Sequence, residues 1–287
     1  MRPGRRTPTA IERPLMETTL MGHGGLRIPR LGFGTYQIAP RDTEQLVGEA
    51  LRAGYRHIDT ARYYRNEAGV GAAVRACGLD RGDIWITSKL PIAGDDTDEV
   101  RSAIDATVDA LGTHVDLYLI HWPMPRRGRY PRTWQALRAA QADGRLSGIG
   151  VSNFHRAQLD RILADGGPPP VVNQIEAHPH FANNDLRQYC AERGIAVAAW
   201  SPLAAGSVLR DPAIQSVAGE LGRTPSQIIL RWHLQRGDIV LPKASSPQRI
   251  AENAAVFDFS LDARQMARID RLDRGEAGRT GPHPERL

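Results

Sequence analysis

Two periodicities alternate along the chain. Short apolar runs that suit buried strands are followed, repeatedly, by stretches whose apolar residues recur at helical spacing. Residues 31–35, 57–59, 84–89, 115–121, 147–152, 170–175, 195–200 and 239–243 read as strands. Helices are predicted over 43–53, 66–77, 98–111, 133–143, 155–164, 184–193, 212–221, 225–236 and 247–255, with a last one over 262–272. Thr43 is the expected N-cap of the first helix, and Gly54 its stop. Ahead of this alternation, residues 18–20 and 26–29 flank the glycine-rich turn Gly22-His23-Gly24-Gly25 and predict a β-hairpin.

Strands that alternate with helices imply right-handed βαβ units and a parallel sheet. Eight such units in about 250 residues favour a closed (β/α)₈ (TIM) barrel, here with an N-terminal hairpin cap and additional C-terminal helices. No Gly-x-Gly-x-x-Gly follows the first strand, which disfavours the doubly wound dinucleotide-binding sheet. Periodicity alone leaves an open sheet as an alternative. The run Gly166-Gly167-Pro168-Pro169-Pro170 is a loop between repeats, not a domain linker. Residues 16–287 are therefore expected to form a single domain. Residues 1–15, rich in arginine and proline, are expected to be a disordered extension, with Met16 as an alternative start. Arg5-Arg6 is not followed by the apolar stretch of an export signal.

The composition narrows the class. Of 287 residues, 41% are hydrophobic and 24% charged, as in an ordinary globular protein. The two cysteines, Cys77 and Cys190, offer neither a disulfide framework nor a Cys-x-x-Cys metal site, and a cytoplasmic location is the expectation. A net charge of +5 fits a phosphate-bearing ligand without the concentration of charge that nucleic acid calls for. No apolar run approaches the ~18 residues of a membrane span. No surface stretch argues for self-association, so a monomer is expected.

The chemistry gathers at strand ends, where a barrel of this kind holds its active site. The second strand ends at Asp59, with Tyr64 in the following turn; the third ends at Lys89 and the fourth at His121. Taken singly, each has a structural reading: helix cap, core aromatic, surface lysine, satisfied histidine. Four such residues at equivalent strand ends point instead to a site. A buried Asp59 requires a cationic partner, which Lys89 can supply. A tyrosine titrates near pH ~10, and a neighbouring ammonium lowers that value. His121 can donate a hydrogen bond to an oxygen that gains charge. This is a proton donor beside an oxyanion pocket, suited to carbonyl reduction. No side chain supplies hydride, so a nicotinamide cofactor is needed.

Six motifs carry a resemblance to the aldo-keto reductase family: residues 54–61 (Gly-Tyr-Arg-His-Ile-Asp-Thr-Ala), 64–67 (Tyr-Arg-Asn-Glu), 86–90 (Ile-Thr-Ser-Lys-Leu), 117–123 (Leu-Tyr-Leu-Ile-His-Trp-Pro), 148–154 (Gly-Ile-Gly-Val-Ser-Asn-Phe) and 173–176 (Asn-Gln-Ile-Glu). The resemblance implies a catalytic tetrad of Asp59, Tyr64, Lys89 and His121, with Tyr64 rather than Tyr63 as general acid. It implies a cofactor site that includes Gly34, Thr35 and Asp59. Ser152, Asn153 and Gln174 would hold the nicotinamide carboxamide. Trp200 stands where many members stack a tyrosine on the nicotinamide ring, and Ser201 to Leu203 resemble the pyrophosphate loop. Residues 242–253 resemble an adenosine-phosphate site. There Lys243 and Arg249 would grip the 2′-phosphate of NADPH or NADP⁺, Ser245 and Ser246 would add donors, and Glu252 and Asn253 would contact adenine. NADH is less favoured. Ala244 departs from the family, where serine is usual, and removes one phosphate contact.

The implied substrate is a small carbonyl compound lined by Tyr36, Tyr64, His121 and Trp122. The short C-terminus resembles the prokaryotic diketogluconate reductase branch, which makes keto-sugars candidates. No metal is expected: His178-Pro179-His180 lacks convergent partners. Three other readings remain at this point: an alcohol dehydrogenase, a cofactor-binding subunit without turnover, and a barrel hydrolase using Asp59 and His121.

Overall fold

Eight short, mostly apolar strands pair side by side in parallel, so each is buried on both faces and needs a helix to cover its outer side. The computed structural model describes residues 18–22, 25–91 and 97–287. The expected extension 1–15, His23 and Gly24 of the hairpin turn, and residues 92–96 of the loop after Lys89 lie outside the described residues. The antiparallel hairpin consists of β1 (Thr19–Met21) and β2 (Arg27–Pro29). The parallel strands follow as β3 (Phe33–Gly34), β4 (His57–Asp59), β5 (Trp85–Leu90), β6 (Leu117–Ile120), β7 (Gly148–Ser152), β8 (Val172–Glu176), β9 (Ala196–Trp200) and β10 (Ile239–Val240). They lie in sequence order across one sheet.

The sheet closes on itself. Leu31 bridges Val240 in parallel, Gly32 N donates to Val240 O (2.9 Å), and Gly34 N donates to Pro242 O (3.0 Å). A Cβ on Gly32 would stand 2.5 Å from Leu241 Cδ2 and 3.0 Å from His57 Cγ, so a side chain at this seam would make both neighbours shift. The expected barrel is therefore present, and the open-sheet alternative is excluded. Its interior is filled by Trp85, Leu117, Leu119, Val172, Ala198, Ile239 and Leu241, joined from below by Ile28 of the hairpin. His57 fastens that cap, with Nδ1 3.0 Å from Pro29 O and Nε2 2.9 Å from Thr87 Oγ1.

The outer layer is α1 (Pro40–Arg52), α2 (Glu67–Ala76), α3 (Thr97–Leu111), α4 (Tyr130–Ala142), α5 (Arg156–Leu163), α6 (Asn184–Ala191), α7 (Pro212–Leu221), α8 (Pro225–Gln235) and α9 (Pro247–Ala254), then α10 (Ala263–Asp270). Most boundaries fall within a few residues of those expected. The first helix differs: it starts at Pro40, with Ala39 at the N-cap. Proline suits a first turn whose N–H groups have no helical partner. Thr43 lies inside the helix, buried, with its hydroxyl donating to Ala39 O (2.9 Å).

The βα and αβ turns differ in kind. Every turn from a barrel helix back into a strand holds a glycine with positive φ: Gly54, Gly78, Gly112, Gly144, Gly166, Gly194 and Gly237. The non-glycine residues with positive φ, Gln37, Arg65, Met124, Asn153, Asn183, Ser201, Ala204 and Ala205, all follow the C-terminal ends of strands. Relaxed turns occupy one end of the barrel and strained ones the other, the pattern expected when function sits at the strained end.

Helix α2 meets the end of α3 at Gly71, where an added Cβ would stand 1.8 Å from Leu111 O. Gly71→Ala is expected to lower stability by about 1–3 kcal/mol in urea unfolding, despite the better helix propensity of alanine. Gly82→Ala, with open space around it, should leave the midpoint unchanged.

Candidate active site

Lys89 is buried to 1% exposure inside the barrel, and its charge has to be met there. Its Nζ donates to Asp59 Oδ2 (2.7 Å) and to the carbonyl of Thr60 (2.9 Å), both at the end of β4. The second carboxylate oxygen of Asp59 accepts from Gln174 Nε2 (2.7 Å), which reaches across from β8. Tyr64 ends a single 3₁₀ turn, Arg62–Tyr64, that follows β4. Its ring centroid lies 5.1 Å from Lys89 Nζ. The His121 ring stands edge-on to it at 5.8 Å, and the Tyr36 ring lies 5.1 Å away. The four expected residues thus converge. Tyr63 is 65% exposed and directs its ring toward His121 from outside, at 6.3 Å.

Asn66 sets the turn that presents Tyr64. It occupies the N-cap of α2 without capping it. Its amide instead donates to Thr35 O (2.9 Å) and Ile38 O (3.2 Å), and its oxygen accepts from Thr60 Oγ1 (2.9 Å). The loop after β3 and the turn after β4 are therefore tied together, with Arg65 in the left-handed region at φ 58° between them.

The electrostatics follow from burial. Desolvation pulls the Lys89 ammonium down, but Asp59 and Tyr64 overcome it and hold Lys89 above its ordinary value, so it stays charged. Burial drives Tyr64 up, and Lys89 pulls it down by less; the net shift is upward. The sequence-based expectation of a lowered tyrosine is thus corrected: desolvation outweighs the ammonium. His121 is pushed down to about 3 by burial and by Lys89, so its ring is neutral, and Nδ1 is buried without a hydrogen-bond partner among the described residues.

The remaining expected residues form a second ring around this centre. Thr35 N and Oγ1 donate to Asp59 O (2.9 and 3.1 Å), beside Gly34, whose missing side chain lets Leu241 O approach. Ser152 Oγ donates to Gln174 O (3.0 Å). Asn153, at φ 63°, donates to His121 O (3.0 Å) and accepts from the Trp200 indole N–H (2.8 Å). Ser201 (φ 46°) and half-buried Leu203 open the loop after β9, and half-buried Trp122 follows His121. Past β10, Lys243, Ser245 and Arg249 are exposed, and neither cation pairs with a carboxylate among the described residues. Ser246 N-caps α9 by accepting from Arg249 N (3.4 Å). Glu252 and buried Asn253 lie in the last turn of that helix, and Ala244 is buried in the core.

Glu176 went unassigned in the sequence. Two residues after Gln174 on β8, it lies on the same strand face one layer higher. Its carboxylate, 2% exposed, accepts from Thr280 N and Oγ1 (2.6 Å each), Gly281 N (3.0 Å) and His178 Nε2 (3.1 Å). It pins the stretch at Thr280 and Gly281 against Trp200, where a Cβ on Gly281 would stand 2.4 Å from the indole. The period-two spacing from Gln174 was the available signal. His178 is thus engaged with Glu176, and His180 with Asp211 (3.2 Å), so that pair of histidines diverges.

Two outcomes are expected. Asp59→Asn, which leaves Lys89 charged and unpaired, should cost about 3–5 kcal/mol in urea unfolding. Adding Lys89→Met should recover part of that loss, and a double variant weaker than the single would contradict the pairing. The His121 ring, followed by NMR, should remain neutral at pH 5, since its native value lies near 3. Because the unfolded chain takes that proton at about 6.5, stability should decline as pH falls from about 6.5 toward 3. A His121 titration midpoint near 6.5 in the native protein would overturn the assignment.

Comparison with known proteins extends these observations. The aldo/keto reductase family matches residues 30–274. An aldo-keto reductase of Mycolicibacterium smegmatis is 45% identical over 261 residues, covering 91% of this chain and 94% of the relative. The methylglyoxal reductase DkgA of Yersinia pestis is 41% identical and covers 94% and 97%. The crystal structure of a Gox0644 mutant in complex with NADPH superposes with a TM-score of 0.90 at 42% identity, covering 94% of this chain and 98% of that one. With motifs, barrel and strand-end cluster in agreement, this chain belongs to the aldo/keto reductase family.

Proposed function

We propose that this protein is an NADPH-dependent reductase of aldehydes and ketones, keto-sugars and small dicarbonyls among them, with Tyr64 as general acid. The carrying observation is the buried Asp59–Lys89 pair (2.7 Å) beneath the Tyr64 ring. Several features fit the cofactor: the cations Lys243 and Arg249, unpaired among the described residues, beside the N-terminus of α9, the closely approached backbone at Gly34, and the polar ring of Ser152, Asn153 and Gln174 beside half-buried Trp200. When bound, the nicotinamide supplies hydride to the carbonyl carbon.

The chain's own residues handle the oxygen. Tyr64, protonated at neutral pH, donates to the carbonyl oxygen as that oxygen gains charge. Lys89 stays charged and stabilises the tyrosinate left behind, while Asp59 and Gln174 hold the ammonium in place. His121, neutral, offers an N–H to the same oxygen without competing for its proton. Tyr36 and Trp122 stand at the rim as walls for the substrate. The chain is further read as a monomer with one barrel domain over residues 16–287 preceded by an extension, working in the cytoplasm. No helix among the described residues is long and apolar enough to cross a membrane.

Loss of NADPH absorbance with methylglyoxal, simple aldehydes and keto-sugars tests the reading. Tyr64→Phe should lower kcat by roughly 100- to 10,000-fold while NADPH still binds. Substantial turnover by that variant would remove Tyr64 from its role. Arg249→Ala should weaken NADPH by about tenfold or more and leave NADH nearly unchanged, because a charge-assisted bond to the 2′-phosphate is lost. Equal weakening of both would mean that Arg249 does not read the phosphate.

A further inference from the structure

We propose that His155, His283 and Glu285 form a binding site for a divalent transition-metal ion of the zinc type, separate from the reductase centre. The three side chains come from two distant pieces of chain. His155 is the N-cap of α5, two residues past Asn153. His283 and Glu285 flank buried Pro284 in the final 3₁₀ turn, Pro284–Arg286. One donor atom from each of the three lies within 4.8 Å of the other two. His155 Nδ1 stands 3.4 Å from Glu285 Oε1. Two ligands of a tetrahedral zinc ion, each about 2.0–2.1 Å from the metal, are themselves about 3.3–3.4 Å apart. The observed spacing, that of a direct histidine–carboxylate contact, is also one that a shared ion fits, and the His283 donor needs to close in by about an ångström.

The ligand set and its charge agree. Two imidazoles and a carboxylate are an accepted zinc set that leaves one position for water. The nearby cation, Arg279, is already matched: it forms a two-pronged pair with Glu276 (2.8 and 2.7 Å). The carboxylate of Glu285 then leaves the cluster with a net negative charge, which a dication neutralises. Both pieces of chain are held before any ion arrives. The His155 backbone N–H donates to Gln158 Oε1 (3.0 Å), and the two histidine rings meet edge to face at 5.2 Å. Glu285 N donates to His283 Nδ1 (3.3 Å), which orients that ring within the turn. An ion here would fasten the C-terminal turn to the loop after β7. That turn continues the segment that Glu176 holds against Trp200, so metal occupancy would stiffen one wall of the mouth.

The test uses the full chain with cobalt(II) as a coloured probe and zinc by calorimetry, and needs neither cofactor nor substrate. Wild-type protein should take up one ion per chain, with the visible bands of a low-symmetry cobalt site, and zinc should displace the cobalt. His283→Ala and Glu285→Gln, both in a terminal turn, should each weaken binding by at least about tenfold while far-UV circular dichroism stays unchanged. His155→Asn, which keeps a side chain able to cap α5, should do the same. No uptake by wild type, or uptake that none of these substitutions weakens, would overturn the proposal.

Discussion

The salt bridge between Asp59 and Lys89 is the constraint around which this molecule is arranged. Both groups are almost fully removed from water, and an ammonium buried alone in such a place costs several kcal/mol. The cost is met only when three strands are in register. Asp59 ends β4, Lys89 comes from β5 next to it, and Gln174 reaches the same carboxylate from β8 across the interior. A slip of one residue in β4 or β5 would turn its side chain to the helix layer and leave a charge unpaired, and a slip in β8 would take the Gln174 amide from the Asp59 carboxylate. The same pair that holds the barrel's register also sets the field at Tyr64, so fold and chemistry share one interaction.

Strain is confined to the end of the barrel where that field acts. The turns into the strands use glycine wherever φ is positive, and are therefore relaxed. The turns out of the strands force Arg65, Asn153, Ser201 and others into the left-handed region. Each of these last three is supported. Asn66 braces the turn at Arg65; Asn153 donates to His121 O and accepts from the Trp200 indole; Ser201 O accepts from Ala204 N (2.8 Å). Such conformations persist only where neighbours over-determine them, and here the neighbours include His121 of the strand-end cluster and Trp200 of the proposed cofactor site.

The C-terminal segment completes that end. Glu176 stands one layer above Gln174 on β8, so a single strand face secures the centre through Asp59 and the rim through Thr280 and Gly281. Its carboxylate lies below its ordinary value: burial alone would raise it, and the combined hydrogen bonds from His178, Thr280 and Gly281 outweigh that. A buried anion satisfied in this way fixes the approach of Thr280 and Gly281 to Trp200, and the missing side chain of Gly281 makes that approach close.

The sequence by itself determined the periodic order of strands and helices and the identity of the strand-end residues, since both are local properties. Apolar runs, glycine stops and the motifs around Asp59, Tyr64, Lys89 and His121 can be read without knowing what they face. The buried Asp59 demanded a cation, and chemistry alone named Lys89. Three matters needed the tertiary structure because each depends on who meets whom. Closure of the barrel rests on hydrogen bonds between Gly32 or Gly34 and the chain around β10, more than 200 residues away. The sign of the Tyr64 shift is a balance between desolvation and the Lys89 charge, and burial wins only once the loops enclose the ring. The meeting of His155 with His283 and Glu285, and of Glu176 with Thr280, follows from where the chain end comes to rest. Contacts between residues a hundred or more positions apart leave no periodic signal in the sequence, because it is the closed sheet that brings them together.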